Sequence, residues 1–311
     1  MIKIKIIKRT NDLAFKKAFV SNETKHILAA LFFDFFGVKP GKIEIITPYN
    51  IESYRKFLED ASKNKLIYTI SDIKAIMELG NLGVELQTLK QLYFDQRSLY
   101  YPFTSFVNSY NTKKEQDKTN PYGDLKPIYA INILGYNNFN KDENGNEDED
   151  ALRIFNLYDI KRNKKFTNAP DIVNLAYFEL KKPNVETKNQ KHWQDYFLGK
   201  EIKKEAPDYI KEAEFIVNKI NMNEEEVRML TVAERLEADY ISGLEYATLE
   251  GTQKGMQQGL EIGRLEGKLE GKLEGKLEGK LEGKLEAAEI ISSLIKEGYT
   301  LEEALKKLIS S

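Results

Sequence analysis

The sequence predicts an α/β or α+β domain of roughly 200 residues, followed by a separate helical tail. Three observations carry this reading. Apolar residues recur at helical spacing in 11–36, 91–110 and 190–246. Short β-rich runs lie among them, at 66–77, 82–89, 127–134, 154–158 and 175–180. From residue 251 to residue 283, glycine falls at every fourth position.

The elements follow in order. Asn11 or Asp12 can cap a first helix on which Phe15, Ala18 and Phe19 share a face. Asn22 or Thr24 can start a second, with Ile27, Leu28, Leu31, Phe32 and Phe35 at helical spacing, and Gly37 ends it. The runs 66–77 and 82–89 flank the turn-like Glu78-Leu79-Gly80-Asn81, which predicts an antiparallel hairpin. Residues 91–110 return to helical spacing and carry many aromatics. A polar loop leads to the buried strands 127–134 and 175–180, with a shorter strand at 154–158 and an acidic loop at 141–150 between them. Helices are expected through 190–246, broken near Pro207 and near Asn221.

The tail is a distinct object. GKLE repeats five times without change over 267–286. Each helical glycine costs about 1 kcal/mol relative to alanine, and a period of four winds the leucines about 40° round the helix per repeat. This fits a long exposed helix or rod, read either as an expanded linker or as a surface for self-association or a partner. A helical hairpin is expected at 287–309, with Thr300 and Glu303 as a capping box. The domain reading is therefore 1–245, a repeat linker at 246–286, and a hairpin at 287–311.

Composition narrows the chemistry. The chain has 311 residues, 41% apolar and 31% charged, enough to bury a core. It has no cysteine, which excludes disulfides, thiolate zinc sites and thiol nucleophiles. With only His26 and His192, carboxylates and lysines must carry any catalysis. No run approaches the ~18 apolar residues of a membrane span, and MIKIKIIKRT is not a signal peptide, so a cytoplasmic protein is expected. Residues 1–140 carry net +6 and 141–311 net −8, a front half compatible with a phosphate-backbone partner.

One constellation suits metal chemistry. Asp72 sits on the period-two pattern Ile70, Asp72, Lys74, and Glu85 and Gln87 share one face of the next strand. Two carboxylates on a sheet face make an oxygen site for Mg²⁺ or Mn²⁺, to which the Leu86 carbonyl could add a ligand. Acids on strands are otherwise commonly solvated.

The run NDLAFKKAF, then SDIKA, GVELQ and QRSLYY in that order, resembles the PD-(D/E)XK nuclease-like family, in its recombination-promoting nuclease and transposase branch. The likeness covers about 1–240 in layout, and the tail in style. It implies a restriction-endonuclease-like three-layer core with a mixed central sheet, and a Mg²⁺-dependent DNA endonuclease linked to recombination or transposition. By this resemblance Asp72 is the motif Asp, Glu85 the motif Glu, and Gln87 stands where the wider superfamily has Lys. Lys74 or Lys90 could supply the missing charge, and Asp12 matches the acid of the family's first helix, where a helix cap explains it equally well. Arg97 could clamp a phosphate and Tyr101 stack on a base; Tyr100 and Gln96 lie beside them, though packing and solvation also explain such residues. His26 reads as a structural or surface residue, Trp193 as a core anchor, and Glu179-Leu180-Lys181 as a strand end rather than a second site. Two alternatives stand beside the endonuclease: a nucleic-acid binder that does not cut, and an interaction protein that assembles through its tail.

Overall fold

The expected hairpin is the frame on which the sheet is built. The computed structural model describes residues 8–46, 73–116, 125–141, 145–166, 172–218 and 221–310. In it Ile73–Met77 (β2) and Asn81–Gln87 (β3) pair antiparallel, with Ile73 opposite Val84. The turn is tight: Met77 N–H donates to the Gly80 carbonyl at 2.7 Å. Gly80 is needed there, because a Cβ would stand 2.3 Å from the Pro127 carbonyl oxygen.

Around this hairpin the sheet has six strands, among the described residues, in the order Ile43–Ile45 (β1), β2, β3, Ile128–Leu134 (β4), Val173–Glu179 (β8) and Leu152–Phe155 (β5). β1 pairs antiparallel with β2. β4 and β8 run parallel to β3 and to each other. Both are buried along their whole length, as parallel strands covered on two faces must be. β5 closes the far edge antiparallel to β8.

The strand expected at 154–158 is displaced. β5 ends at Phe155, and Tyr158–Asp159 (β6) instead pairs with Lys164–Lys165 (β7) in a separate ribbon. Asn156 explains the break: its amide donates to the Val173 carbonyl at 3.1 Å and to Asn174 Oδ1 at 2.8 Å, so side-chain bonds end the strand.

Helices cover both faces. On the back lie Asp12–Phe19 (α1), Lys25–Phe36 (α2), Lys188–Phe197 (α4) and Asp208–Val217 (α5). Phe15, Phe19, Phe32, Trp193 and Phe197 meet Ile73, Val84, Ile131 and Phe178 there in the main core. Phe94–Gln116 (α3) covers the front, over a smaller cluster that includes Phe94, Ala130, Leu134 and Tyr177. This is the three-layer core with a mixed sheet that the sequence led one to expect.

Local signals work where the chain obeys them. Asn11 caps α1 by accepting from Leu13 N and Ala14 N, and Gly37 ends α2 at φ 70°. Thr24 begins α2, but its hydroxyl donates back to the Ser21 carbonyl at 3.3 Å rather than capping. Trp193 is the expected core anchor. Its indole N–H donates to Asp34 at 2.8 Å, and the Tyr209 hydroxyl donates to the same carboxylate, tying α2 to α4 and α5.

Asp195 on α4 yields a pH expectation. Burial opposes its charge, but hydrogen bonds from Lys200 and Lys191, with their charges, outweigh burial and hold its carboxyl below the usual range. A folded pKa below the unfolded value of about 3.9 stabilises the protein above that value, and the gain is lost as pH falls through the folded value. Asp195→Asn should therefore lower the melting temperature at neutral pH. The gap from the parent should narrow as melts are taken below the unfolded value and through the lowered folded one.

The chain divides into two units, Met1–Asp239 and Tyr240–Ser311. Glu224–Lys296 (α6) is one continuous helix of 73 residues. Its start is capped reciprocally: Glu226 N donates to Asn223 Oδ1 at 2.8 Å and Asn223 N to Glu226 Oε2 at 2.9 Å. In the second unit the repeat leucines Leu265 to Leu285 are exposed. Lysines four apart and glutamates four apart stack like charges along this helix, a cost of a few tenths of a kcal/mol per pair. After Gly298, at φ 100°, the chain forms a last helix, Leu301–Ser310 (α7). Thr300 donates to Glu303 through both backbone N–H and hydroxyl, which keeps half of the capping box. Among the described residues no helix is long and apolar enough to cross a membrane.

Candidate active site

Period-two alternation sorts β3 into two faces. Leu82, Val84 and Leu86 enter the main core. Gly83, Glu85 and Gln87 take the opposite face, toward α3. Both polar side chains are withdrawn from water: Glu85 is 8% exposed and Gln87 0%.

The chain then turns sharply into α3. Tyr93 adopts φ 64°, and Arg97 N–H bonds back to the Tyr93 carbonyl at 3.1 Å. This places Arg97 over the end of β3. Its guanidinium donates to Glu85 Oε1, to Gln87 Oε1 at 2.6 Å and to Gln91 Oε1 at 2.6 Å. Gln87 is oriented from its other end as well, because its Nε2 donates to the Leu89 carbonyl at 2.7 Å. One cation thus gathers a carboxylate and two amides in a half-buried setting, where charge-assisted bonds are strong.

The neighbouring positions are polar too. The sheet register sets Glu85 beside Asn132, and Asn132 beside Tyr177. Asn132 donates to the Ala176 carbonyl at 3.2 Å. Ser98 on α3 donates to the Asp95 carbonyl at 2.8 Å, so the Tyr177 hydroxyl donates to Ser98 Oγ at 2.7 Å. Burial, followed by the negative charge of Asp95 and Glu85, pushes the Tyr136 hydroxyl well above the usual tyrosine range. That hydroxyl is buried without a hydrogen-bond partner among the described residues.

Between α3 and the sheet, next to Glu85, lies a cavity of about 590 Å³. Lys74, Tyr101, Asn132 and Glu85 contribute to its wall. The Lys74 ammonium stands 5.7 Å from the Tyr101 ring centre, a cation–π contact.

The residues expected from the sequence are distributed as follows. Glu85, Gln87 and Arg97 form one bonded group. Lys74 and Tyr101 meet at the cavity. Asp72 lies outside the described residues; it immediately precedes Ile73, the partner of Val84, and Glu85 is the next residue of β3. The Gln87 carbonyl accepts from Gly135 N at 2.9 Å on the β4 side, and successive carbonyls alternate, so the Leu86 carbonyl points toward the β2 side. Asp12 is the first residue of α1 rather than its cap, and pairs with Lys16 one turn on at 3.0 Å. Lys90, Gln96 and Tyr100 are exposed. Glu179 is fully buried and accepts from Asn138 N and Phe139 N. It pairs with Lys182 at 2.9 Å, as a strand end would. His26 is exposed and bonds Glu212 at 2.7 Å.

The residues missed include Gly83, Gln91, Ser98, Asn132 and Tyr136. Asn132 did leave a signal, as the polar residue within the apolar run IYAINIL. Among the described residues no three His, Cys, Asp or Glu side chains gather as a metal site. The donors present, a buried carboxylate and a carbonyl facing the β2 side, are hard oxygens of the kind Mg²⁺ and Mn²⁺ prefer.

Residues 9–247 match the model of a family described as PD-(D/E)XK nuclease family transposase. Comparison with curated proteins and with solved structures gives no match.

Proposed function

The chain belongs to the PD-(D/E)XK nuclease transposase family, and from that premise we propose that it is a divalent-metal-dependent DNA endonuclease serving recombination or transposition. The observation that carries the proposal is the buried Glu85, held with Gln87 by Arg97 at the edge of a cavity.

In this reading Glu85, the Leu86 carbonyl and Asp72 hold Mg²⁺ or Mn²⁺. Bound there, the metal supplies Lewis-acid stabilisation of phosphodiester charge and a more acidic water. The chain's own residues do the rest. Arg97 provides the positive charge that lysine supplies in the wider superfamily, at the position where Gln87 is neutral. Its fork can pass from Gln87 or Gln91 to a phosphate oxygen without leaving Glu85. Gln87, fixed at both ends of its amide, orients Arg97 rather than acting on substrate. Lys74 draws the phosphate backbone toward the site. In this reading water attacks the phosphodiester directly, without a covalent intermediate.

One observation favours a second reading, a DNA-binding protein that does not cut: Arg97 already holds one carboxylate oxygen of Glu85. Supercoiled plasmid separates the two. The endonuclease reading expects nicking and linearisation with Mg²⁺ or Mn²⁺, abolished by EDTA and by Asp72→Ala. Cutting that survives EDTA overturns the metal-dependent reading. Cutting that survives Asp72→Ala removes Asp72 from the site. DNA binding without any cutting establishes the second reading.

A further inference from the structure

The cavity beside Glu85 owes its existence to two missing side chains. Gly83 on β3 and Ala130 on β4 are register partners in the middle of the sheet, on the face that α3 covers. Central strands ordinarily carry β-branched or aromatic residues there. A glycine in a strand interior costs stability, and often marks a place where a ligand approaches the backbone closely. At Gly83 an added Cβ would meet no atom of the described residues within 4 Å, so among them the space above the strand is open.

The walls of this space are chemically mixed. Tyr101 supplies an aromatic ring and Asn132 a buried amide. One N–H of that amide donates to the Ala176 carbonyl, which leaves a second N–H and the oxygen as donor and acceptor. Pro102 has no N–H, so the Ser98 carbonyl on the same helix has no donor from the residue four ahead. Lys74 and Lys126, both exposed, add positive charge to the lining. A flat floor, an aromatic wall, a few hydrogen-bonding groups and flanking cations suit one occupant: a planar base attached to a phosphate. About 590 Å³ lies within the range of small-ligand pockets, so one nucleotide fits.

Resting on the endonuclease reading, we propose that this cavity receives an unpaired nucleotide of the substrate strand, drawn out of the base stack beside the phosphodiester to be cut. The protein then selects single-stranded, mismatched or distorted DNA, because extruding a base costs least there.

The test uses the full chain with Ca²⁺ in place of Mg²⁺. Single-stranded oligodeoxynucleotides carry one 2-aminopurine at successive positions, and emission is read at saturating protein, with saturation set by the anisotropy of a terminal dye. The proposal expects a change of at least roughly twofold at one position, lost in Gly83→Phe, which fills the floor. Thr104→Trp, which fills the cavity from α3, is the second variant, and thermal melts confirm that each is folded. Bound oligonucleotide with no change at any position overturns the proposal. So does an unaltered change in both folded variants. Plasmid cutting is scored separately. Cutting with no 2-aminopurine response defeats the pocket and spares the nuclease; a response without cutting does the reverse.

Discussion

Replacing Glu85 by glutamine is expected to lower plasmid cleavage by roughly 10³-fold or more at saturating Mg²⁺, the largest effect of any single change described. The substitution is nearly isosteric. Glutamine keeps a carbonyl oxygen for the Arg97 guanidinium, so α3 stays joined to β3. What disappears is the negative charge and the anionic oxygen that a hard cation requires. A hydrogen bond to a charged partner weakens to one with a neutral acceptor, a loss of about 1 kcal/mol, or about 2–4 °C in melting temperature for a domain of this size. Alanine would be a poorer probe, because it strands Arg97 beside an empty, partly buried site. Single-turnover cleavage and thermal melts on the same preparation check both halves. Cleavage at the parental rate would take Glu85 out of the chemistry.

Arg97→Ala is expected to cost about 10²-fold in cleavage, with a partial return in Arg97→Lys. The guanidinium bonds Glu85, Gln87 and Gln91 together, a pattern that a planar fork achieves and a point charge does not. Removing it also takes a positive charge away from the proposed metal position. The Mg²⁺ concentration for half-maximal cleavage should therefore fall in Arg97→Ala even as the maximal rate drops. A role confined to holding α3 in place predicts no such opposite movement. A Mg²⁺ titration of single-turnover rates in parent, Arg97→Ala and Arg97→Lys decides between them, and an unchanged maximal rate would defeat the assignment.

How legible the site was depended on the range of the interaction. Glu85 and Gln87 share a face because strands alternate, which is visible in GVELQ. Arg97 was visible through the ordered motifs, although its bonds to Glu85 and Gln87 were not. Asn11, Gly37 and the turn before Gly80 are local choices with local signatures. The cavity was not legible. It requires Gly83 to lie beside Ala130, and that parallel pairing is made across a connection that contains α3. Nothing in either strand alone announces it. The end of β5 failed for a related reason: Asn156 finds its partners on β8, so the apolar run through Tyr158 looked like one strand and was not. Asp72 was read from the same pattern as Glu85, and its part in the site rests on the substitution test.

The repeat of α6 has a geometric consequence of its own. Among the described residues, Gly251 to Gly283 meet nothing at their Cβ positions and the repeat leucines are exposed, so no packing there fixes how many units there are. Four residues advance a helix by about 6 Å and rotate it by about 400°, a net turn of 40°. Gain or loss of one GKLE unit therefore carries α7 along and around the axis by a fixed step relative to Tyr240, as a nut moves on a thread. Nine added units would bring it back to the same azimuth about 54 Å further out. Unit number is thus a setting for reach and direction together, adjustable without disturbing a single core contact.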